Sequence, residues 1–174
     1  PGMPRASVYT RIRSLVRSGT LSCIGHGRYV AIRKPRFTVP VTTWMREVNL
    51  FLVENFAGIN HCITEAAGNL IVEVPKDDID SIMRALKSKW QKVARRKEAK
   101  RFLAPLEGFI LIDRLITDAP VSVEDSCPVP SPEKMLVDSI CAHNSSQSLF
   151  QRIMEIYPVN INRLHRYATR RGVD

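Results

Sequence analysis

Arginine side chains are concentrated at the start of this 174-residue chain, and their usual chemistry is the binding of phosphate groups. The first 36 residues contain eight Lys or Arg and no Asp or Glu, whereas the other 138 residues contain 18 basic and 17 acidic side chains. Nearly all of the formal net charge of +9 therefore lies in one short segment. This asymmetry is typical of a nucleic-acid-binding region joined to a near-neutral domain, although a solvated basic arm would carry the same charge.

A second group with possible chemistry is the pair Glu73-x-x-Lys76, followed by Asp77 and Asp78. Carboxylates at a strand end can bind a divalent cation that supports phosphodiester cleavage. However, Pro75 intervenes, the spacing exceeds a Glu-x-Lys pattern by one residue, and the aspartates also suit the first turn of a helix. A metal-dependent nuclease therefore stays an alternative. The sequence contains no phosphate-binding loop, nucleophile elbow or HExxH motif, so we predict no catalytic residues, no metal and no cofactor.

The arginines of the first segment need an element that positions them, and residues 5–19 predict a helix. Its apolar positions, Val8, Ile12, Leu15 and Val16, follow helical spacing and predict one buried stripe. Gly19 just past this run is the usual left-handed stop. At about 100° per residue the opposite face is polar, with Arg11 on its flank. That face consists of Thr10, Arg13, Ser14 and Arg17.

Residues 21–31 predict a hairpin with Gly25-His26-Gly27-Arg28 at its tip, since glycines permit the positive φ angles of a tight turn. A basic helix followed by such a hairpin is typical of the second half of a winged helix-turn-helix. There the helix enters the major groove and the wing contacts the backbone or minor groove. A winged helix needs two earlier helices, and residues 1–4 cannot supply them, so we expect a fragment cut inside the domain.

Residues 37–174 predict an α+β domain, with a small sheet flanked by helices, after a proline-containing linker. Lysines and arginines are dense at 87–101, which would form either a solvated helix end or connecting loop, or a second phosphate-contacting surface. Residues 118–132 are rich in proline and acidic side chains. The predicted strands are 59–65, 70–74 and 108–113. The predicted helices are 43–56, capped by Thr42 or Thr43, a long one from residue 77 with its basic end at 87–101, then 132–143, 147–157 and 160–171.

The four cysteines are scattered without a CxxC pair, which predicts reduced thiols in the cytoplasm rather than disulfides or a zinc site. No apolar run approaches the roughly 18 residues of a membrane span, and no leader resembles a secretion signal. We therefore expect no membrane partner. No heptad pattern predicts an oligomeric state.

Three later motifs complete the pattern: residues 116–121 (ITDAPV), 132–138 (PEKMLVD) and 162–171 (NRLHRYATRR). Together with residues 5–29, the chain resembles the AbiEi-type antitoxins of type IV toxin–antitoxin systems. The resemblance implies a winged helix in residues 1–36 and an antitoxin domain in residues 37–174. It also implies a transcriptional regulator that binds double-stranded operator DNA and represses its own operon. Its paired toxin would be nucleotidyltransferase-like, with direct contact left open.

The resemblance also implies roles for single residues. The C-terminal motif residues could form an ion-pair network between helices or a functional surface. A further alternative is a protein-interaction module without DNA binding of its own. The expected DNA contacts are Arg5, Ser7, Thr10, Arg11, Arg13, Ser14, Arg17, His26 and Arg28. The C-terminal motif residues are Glu133, Lys134, Asp138, Tyr167, Arg170 and Arg171.

Overall fold

The computed structural model describes residues 5–18, 20–31, 34–99, 107–142 and 147–173. The chain divides into two compact units. One contains Pro1–Phe37 with Pro132–Asp174, and the other contains Thr38–Ser131. The described residues form seven α-helices and three small sheets, which is consistent with the predicted α+β class.

The elements follow one another in this order: α1 (Arg5–Arg17), β1 (Leu21–Gly25), β2 (Arg28–Ala31), α2 (Thr43–Asn55), β3 (Cys62–Ala66), β4 (Asn69–Val74), a 3-10 turn (Lys76–Asp78), α3 (Ile79–Lys89), β5 (Val93–Arg95), α4 (Arg96–Ala99), β6 (Ile110–Arg114), β7 (Val121–Glu124), β8 (Cys127–Pro130), α5 (Pro132–Cys141), α6 (Gln147–Ile156) and α7 (Ile161–Arg171).

The first unit joins α1 and the β1–β2 hairpin to the three C-terminal helices. The strands pair antiparallel around the turn His26–Gly27, where Gly27 adopts a φ of +67°. The segment after the hairpin is held against the end of α6. Lys34 Nζ donates to the carbonyl of Met154 at 2.7 Å, and the Phe37 ring meets the Tyr157 ring edge-on at 5.1 Å. Helix α5 packs on α7.

The second unit is built on a four-stranded mixed sheet in the order β3-β4-β6-β5. Strands β3 and β4 are antiparallel, whereas β6 runs parallel to both β4 and β5. The turn between β3 and β4 places Ala67 and Gly68 at positive φ, as a two-residue hairpin requires. One face of the sheet packs with α2 and α3. The core includes Met45, Leu52, Val72, Ile82, Leu86, Ile110 and Ile112.

The predicted α2 and its cap are confirmed, because the Thr42 side chain accepts a hydrogen bond from the Met45 N–H at 3.3 Å. The predicted long basic helix is wrong in its second half. Helix α3 ends at Lys89, Trp90 is extended and packs on Phe51 at 5.2 Å, and Val93–Arg95 forms an edge strand. Pairing with β6 outweighs the helix propensity of this basic stretch.

The proline- and acid-rich stretch 118–132 contains an antiparallel hairpin of β7 and β8 that the sequence did not predict. Its turn places Asp125 and Ser126 at positive φ. Strand β8 contains Pro128 and Pro130, which have no N–H group to donate. Among the described strands β8 pairs with β7 alone, so its other edge forms no hydrogen-bond ladder that the prolines would interrupt.

The first unit ends at Phe37, one residue after the predicted boundary, but the structure groups residues 132–174 with it. The predicted domain 37–174 instead combines α5, α6 and α7 with the sheet. The physical reason for the grouping is the set of contacts from Lys34 and Phe37 to the end of α6. None of the described helices is long and apolar enough to cross a membrane.

Candidate nucleic-acid interface

The polar face of α1 forms as the helical spacing predicts. Arg11, Arg13 and Arg17 are exposed and have no hydrogen-bond or ion-pair partner among the described residues. The Thr10 hydroxyl donates to the carbonyl of Ala6 at 3.0 Å, which leaves its lone pairs for a ligand. Ser7 and Ser14 are also exposed. Arg5 is the first residue of the helix, and its side chain lies outside the described part of the structure.

The hairpin presents the other two predicted DNA contacts. His26 lies in the turn, and Arg28 is the first residue of β2, opposite Gly25. Both side chains are exposed. Among the described strands, β1 and β2 hydrogen-bond only to each other, so no third strand covers the tip of the hairpin.

The apolar face of α1 is not buried as predicted. Val8 and Val16 are 39% and 36% exposed, and Ile12 and Leu15 are only half-buried. Strand β1 contacts α1 but leaves the stripe only partly covered, and the neighbouring hairpin also carries exposed apolar side chains at Ile24 and Val30. Gly19, the predicted helix stop, lies outside the described residues.

The polar face of α1 lines a groove of about 900 Å³ in the first unit. Thr10, Arg13, Ser14 and Arg17 form one wall, extended by Ser18 and Thr20. Residues 158–162, at the start of α7, line the groove together with Glu133. The same groove is therefore lined by four predicted DNA contacts and by Glu133, one of the C-terminal motif residues. The lining by residues 158–162 was not predicted.

The start of α7 is positioned by two side chains. Asn160 caps the helix, since its Oδ1 accepts from the Arg163 N–H at 3.1 Å. The Asn160 N–H in turn donates to Glu133 Oε1 at 2.8 Å, and Glu133 is only 4% exposed. The sequence predicted a helix from residue 160 but assigned no cap there, and the partner 27 residues earlier had no local signal.

The other C-terminal motif residues form a network that joins α5 to α7. Asp138 is its centre: Lys134 Nζ and the Tyr167 hydroxyl both donate to its carboxylate, the latter at 2.9 Å. Arg171 Nε lies 3.2 Å from Asp138 Oδ1, at ion-pair distance but without hydrogen-bond geometry. Lys134 also lies over the Tyr167 ring, 5.7 Å from its centroid.

Burial and charge act in opposite directions on Arg171. Burial lowers its pKa, but the Asp138 carboxylate, helped by Tyr167 and Cys141, outweighs burial and leaves the pKa raised. The guanidinium therefore stays charged. Arg171 is therefore a member of the ion-pair network between α5 and α7. Arg170 is exposed.

Comparison with known proteins shows the family to which the chain belongs. A family model described as a family of unknown function, DUF6577, matches residues 7–174. The chain belongs to DUF6577. The match runs from the first turn of α1 to the end of the chain, so it spans both units. No curated protein matches this DUF6577 chain significantly.

A metal-dependent nuclease would need a cluster of metal-binding side chains. In the described part of this DUF6577 chain, no three His, Cys, Asp or Glu side chains converge to form one. Glu73 is buried in β4 and lies in register with Asp113 of β6. Asp113 is bound by Arg96 at 3.2 Å. A carboxylate already engaged by a guanidinium is a poor starting point for a cation site.

The basic cluster of the DUF6577 chain is spread over the end of α3, β5 and α4. Lys89 lies over the Trp90 ring at 4.8 Å, and Lys92 lies 5.6 Å from the Phe109 ring centroid. Arg95 pairs with Asp80. Several of these cations thus have partners within the unit, which is the arrangement of a solvated surface with local packing. Lys100 and Arg101 lie outside the described residues.

Proposed function

We propose that the chain is a DNA-binding transcriptional regulator, with α1 as the recognition helix and the β1–β2 hairpin as the wing of a winged helix. One observation supports this most strongly: three exposed arginines of α1 have no partner among the described residues, in a segment without any acidic side chain. Unpaired guanidinium groups on one helix are suited to base edges and phosphates of duplex DNA.

The proposal extends to the role of an antitoxin. The regulator would repress its own operon and neutralise a nucleotidyltransferase-like toxin encoded beside it, in the cytoplasm. This part rests on the resemblance of residues 116–121, 132–138 and 162–171 to AbiEi-type antitoxins. Growth rescue on co-expression with an adjacent toxin gene would support it, and a toxin that remains lethal would count against it.

The DNA proposal is tested by fluorescence anisotropy with DNA from upstream of the gene, over a series of salt concentrations. Affinity should fall steeply with salt and need no metal, because phosphate contacts release counterions. Arg13→Ala and Arg28→Ala should each cost roughly 1–3 kcal/mol of binding free energy if they contact bases. If they contact only phosphate, each should lower the salt slope by about one.

Arg152→Ala is the matched control, since it removes the same charge from an exposed position on α6 outside the groove. Its DNA affinity should stay close to that of the unmodified chain. A DNA affinity that does not change with salt concentration, or that is equal in Arg13→Ala, Arg28→Ala and Arg152→Ala, would show that α1 is not the recognition helix. Magnesium-dependent DNA cleavage that Glu73→Ala abolishes would favour the nuclease instead.

A further inference from the structure

The groove between α1 and the start of α7 has an uneven distribution of charge. Arg13 and Arg17 line it without an ionic partner among the described residues. Glu133 is the one acid among the described lining residues, and it is nearly fully buried with its Oε1 engaged by the Asn160 N–H. The accessible charge of the groove is therefore positive.

The wall opposite α1 offers hydrogen-bond donors. Asn160 uses its side chain to cap the Arg163 N–H, and its carbonyl accepts from the Leu164 N–H at 2.9 Å. The N–H groups of Ile161 and Asn162, in the first turn of α7, have no intrahelical acceptor, and both residues line the groove. Asn162 is exposed and adds a side-chain amide.

We propose that this groove is a phosphate-binding site, in which Arg13 and Arg17 neutralise the phosphate and the start of α7 donates hydrogen bonds to it. Guanidinium groups form short, charge-assisted bonds with phosphate oxygens, and Arg13 and Arg17, one helical turn apart on α1, can both reach one phosphate group. A volume of about 900 Å³ lies within the range of small-molecule sites and would admit a nucleotide-sized phosphate ester.

The phosphate has two possible sources. It is either a backbone phosphate of the DNA strand beside α1 or the phosphate of a free ester that enters the same groove. The first source rests on the proposed function, whereas the second does not. Both sources share the same recognition chemistry, so one variant tests the site and a comparison of ligands separates the sources.

The decisive variant is Asn162→Asp. It adds a negative charge to the groove at the second position of α7, where an acidic side chain favours the helix, so folding is preserved. Gln151→Glu is the matched control, because it makes the same amide-to-acid change at an exposed position of α6 outside the groove. The probe is inorganic pyrophosphate, titrated into the full chain by calorimetry.

We expect saturable pyrophosphate binding that Asn162→Asp weakens about tenfold, the effect of one like charge at close range, and that Gln151→Glu leaves within about twofold. Absence of saturable binding, or equal weakening by both variants, would overturn the site. If Asn162→Asp also weakens DNA binding and pyrophosphate competes with DNA, the DNA backbone is the source. If DNA binding follows the control, a free phosphate ester is the source.

Failure of the site and failure of the proposed function give different results. If the chain binds pyrophosphate but no DNA, the phosphate site is supported and the DNA-binding function is refuted. If DNA binding depends on Arg28, but pyrophosphate does not bind and Asn162→Asp leaves the DNA affinity unchanged, the DNA-binding function is supported and the phosphate site is refuted. Arg28 is suited to this comparison because it lies on the hairpin and does not line the groove.

Discussion

Asp138 is the most connected carboxylate of the first unit, since side chains from α5 and α7 converge on it. Its partner Lys134 is only 2% exposed, whereas Asp138 itself is 28% exposed. Removing one member of a buried ion pair is costly because it leaves the other charge without compensation. The network therefore holds α5 against α7 through a few interactions that depend on one another.

Asp138→Asn should reduce the free energy of unfolding by about 3 kcal/mol, because the Lys134 ammonium would stay buried without its carboxylate. Adding Lys134→Met to that variant should restore part of the loss, because the nearly fully buried ammonium is then removed and the half-buried Arg171 guanidinium alone still lacks the Asp138 carboxylate. Urea denaturation measures both changes.

Arg166→Ala is the control for this series, because Arg166 is an exposed side chain on the same α7 helix. Its effect should stay within about 0.5 kcal/mol. If Asp138→Asn were no more destabilising than this control, the network would not be what joins the two helices.

His61 is a buried titratable group of the second unit, 3% exposed. Its Nε2 lies 2.7 Å from Asn49 Oδ1 and its Nδ1 lies 3.3 Å from the Ile59 carbonyl. The Asn49 amide nitrogen donates to the Ser126 carbonyl at 3.1 Å, which orients Oδ1 toward the imidazole. Burial lowers the pKa of His61, and the Ile59 carbonyl only partly opposes that effect.

A lowered pKa in the folded state makes stability depend on pH. The unfolded chain takes up the proton near pH 6.5, while the folded chain stays neutral to a lower pH. Stability from neutral His61 is therefore present above about pH 6.5 and decreases as the pH falls toward the folded-state pKa. Urea denaturation at about pH 7.5 and 5.5 should show this decrease, and His61→Gln should reduce it. A variant with an unchanged pH dependence would assign the effect to other groups.

At the scale of elements, α7 is the helix with the most complete end signals. Asn160 caps its start, and Gly172 ends it at a φ of +69°, with its N–H donating to the Ala168 and Thr169 carbonyls. These signals are local, so the sequence predicted both ends of the helix. By contrast, Trp90 ends α3 through its contact with Phe51, which no local pattern indicated.

Asn160→Ala should destabilise the first unit by about 1 kcal/mol, because the Arg163 N–H would lose its acceptor. Asn160→Asp should preserve stability, since an aspartate caps equally well. Thermal or urea unfolding measures both. Equal losses in the two variants would show that the Asn160 amide group acts through something other than the cap.

At the scale of the molecule, the charge asymmetry and the division into units do not coincide. The acid-free segment lies in the first unit, but that unit also contains acidic side chains, Glu133 and Asp138 on α5 and Glu155 on α6. The Lys34 ammonium, counted from sequence as part of a phosphate-binding region, donates to two carbonyls at the end of α6. Part of the basic segment therefore has an internal structural role.

The sequence by itself determined the elements whose signals are local. The periodicity of α1, the glycines of the β1–β2 hairpin and the Thr42 cap of α2 depend on neighbours within a few residues, so the sequence alone predicts them. The tertiary structure decided what each face meets. The apolar stripe of α1 is only partly buried, and its arginine face lines a groove together with residues 158–162. Asp138 meets Arg171, which lies 33 positions later in the chain. A helical period gives the direction of a side chain, but only packing brings a distant partner to it.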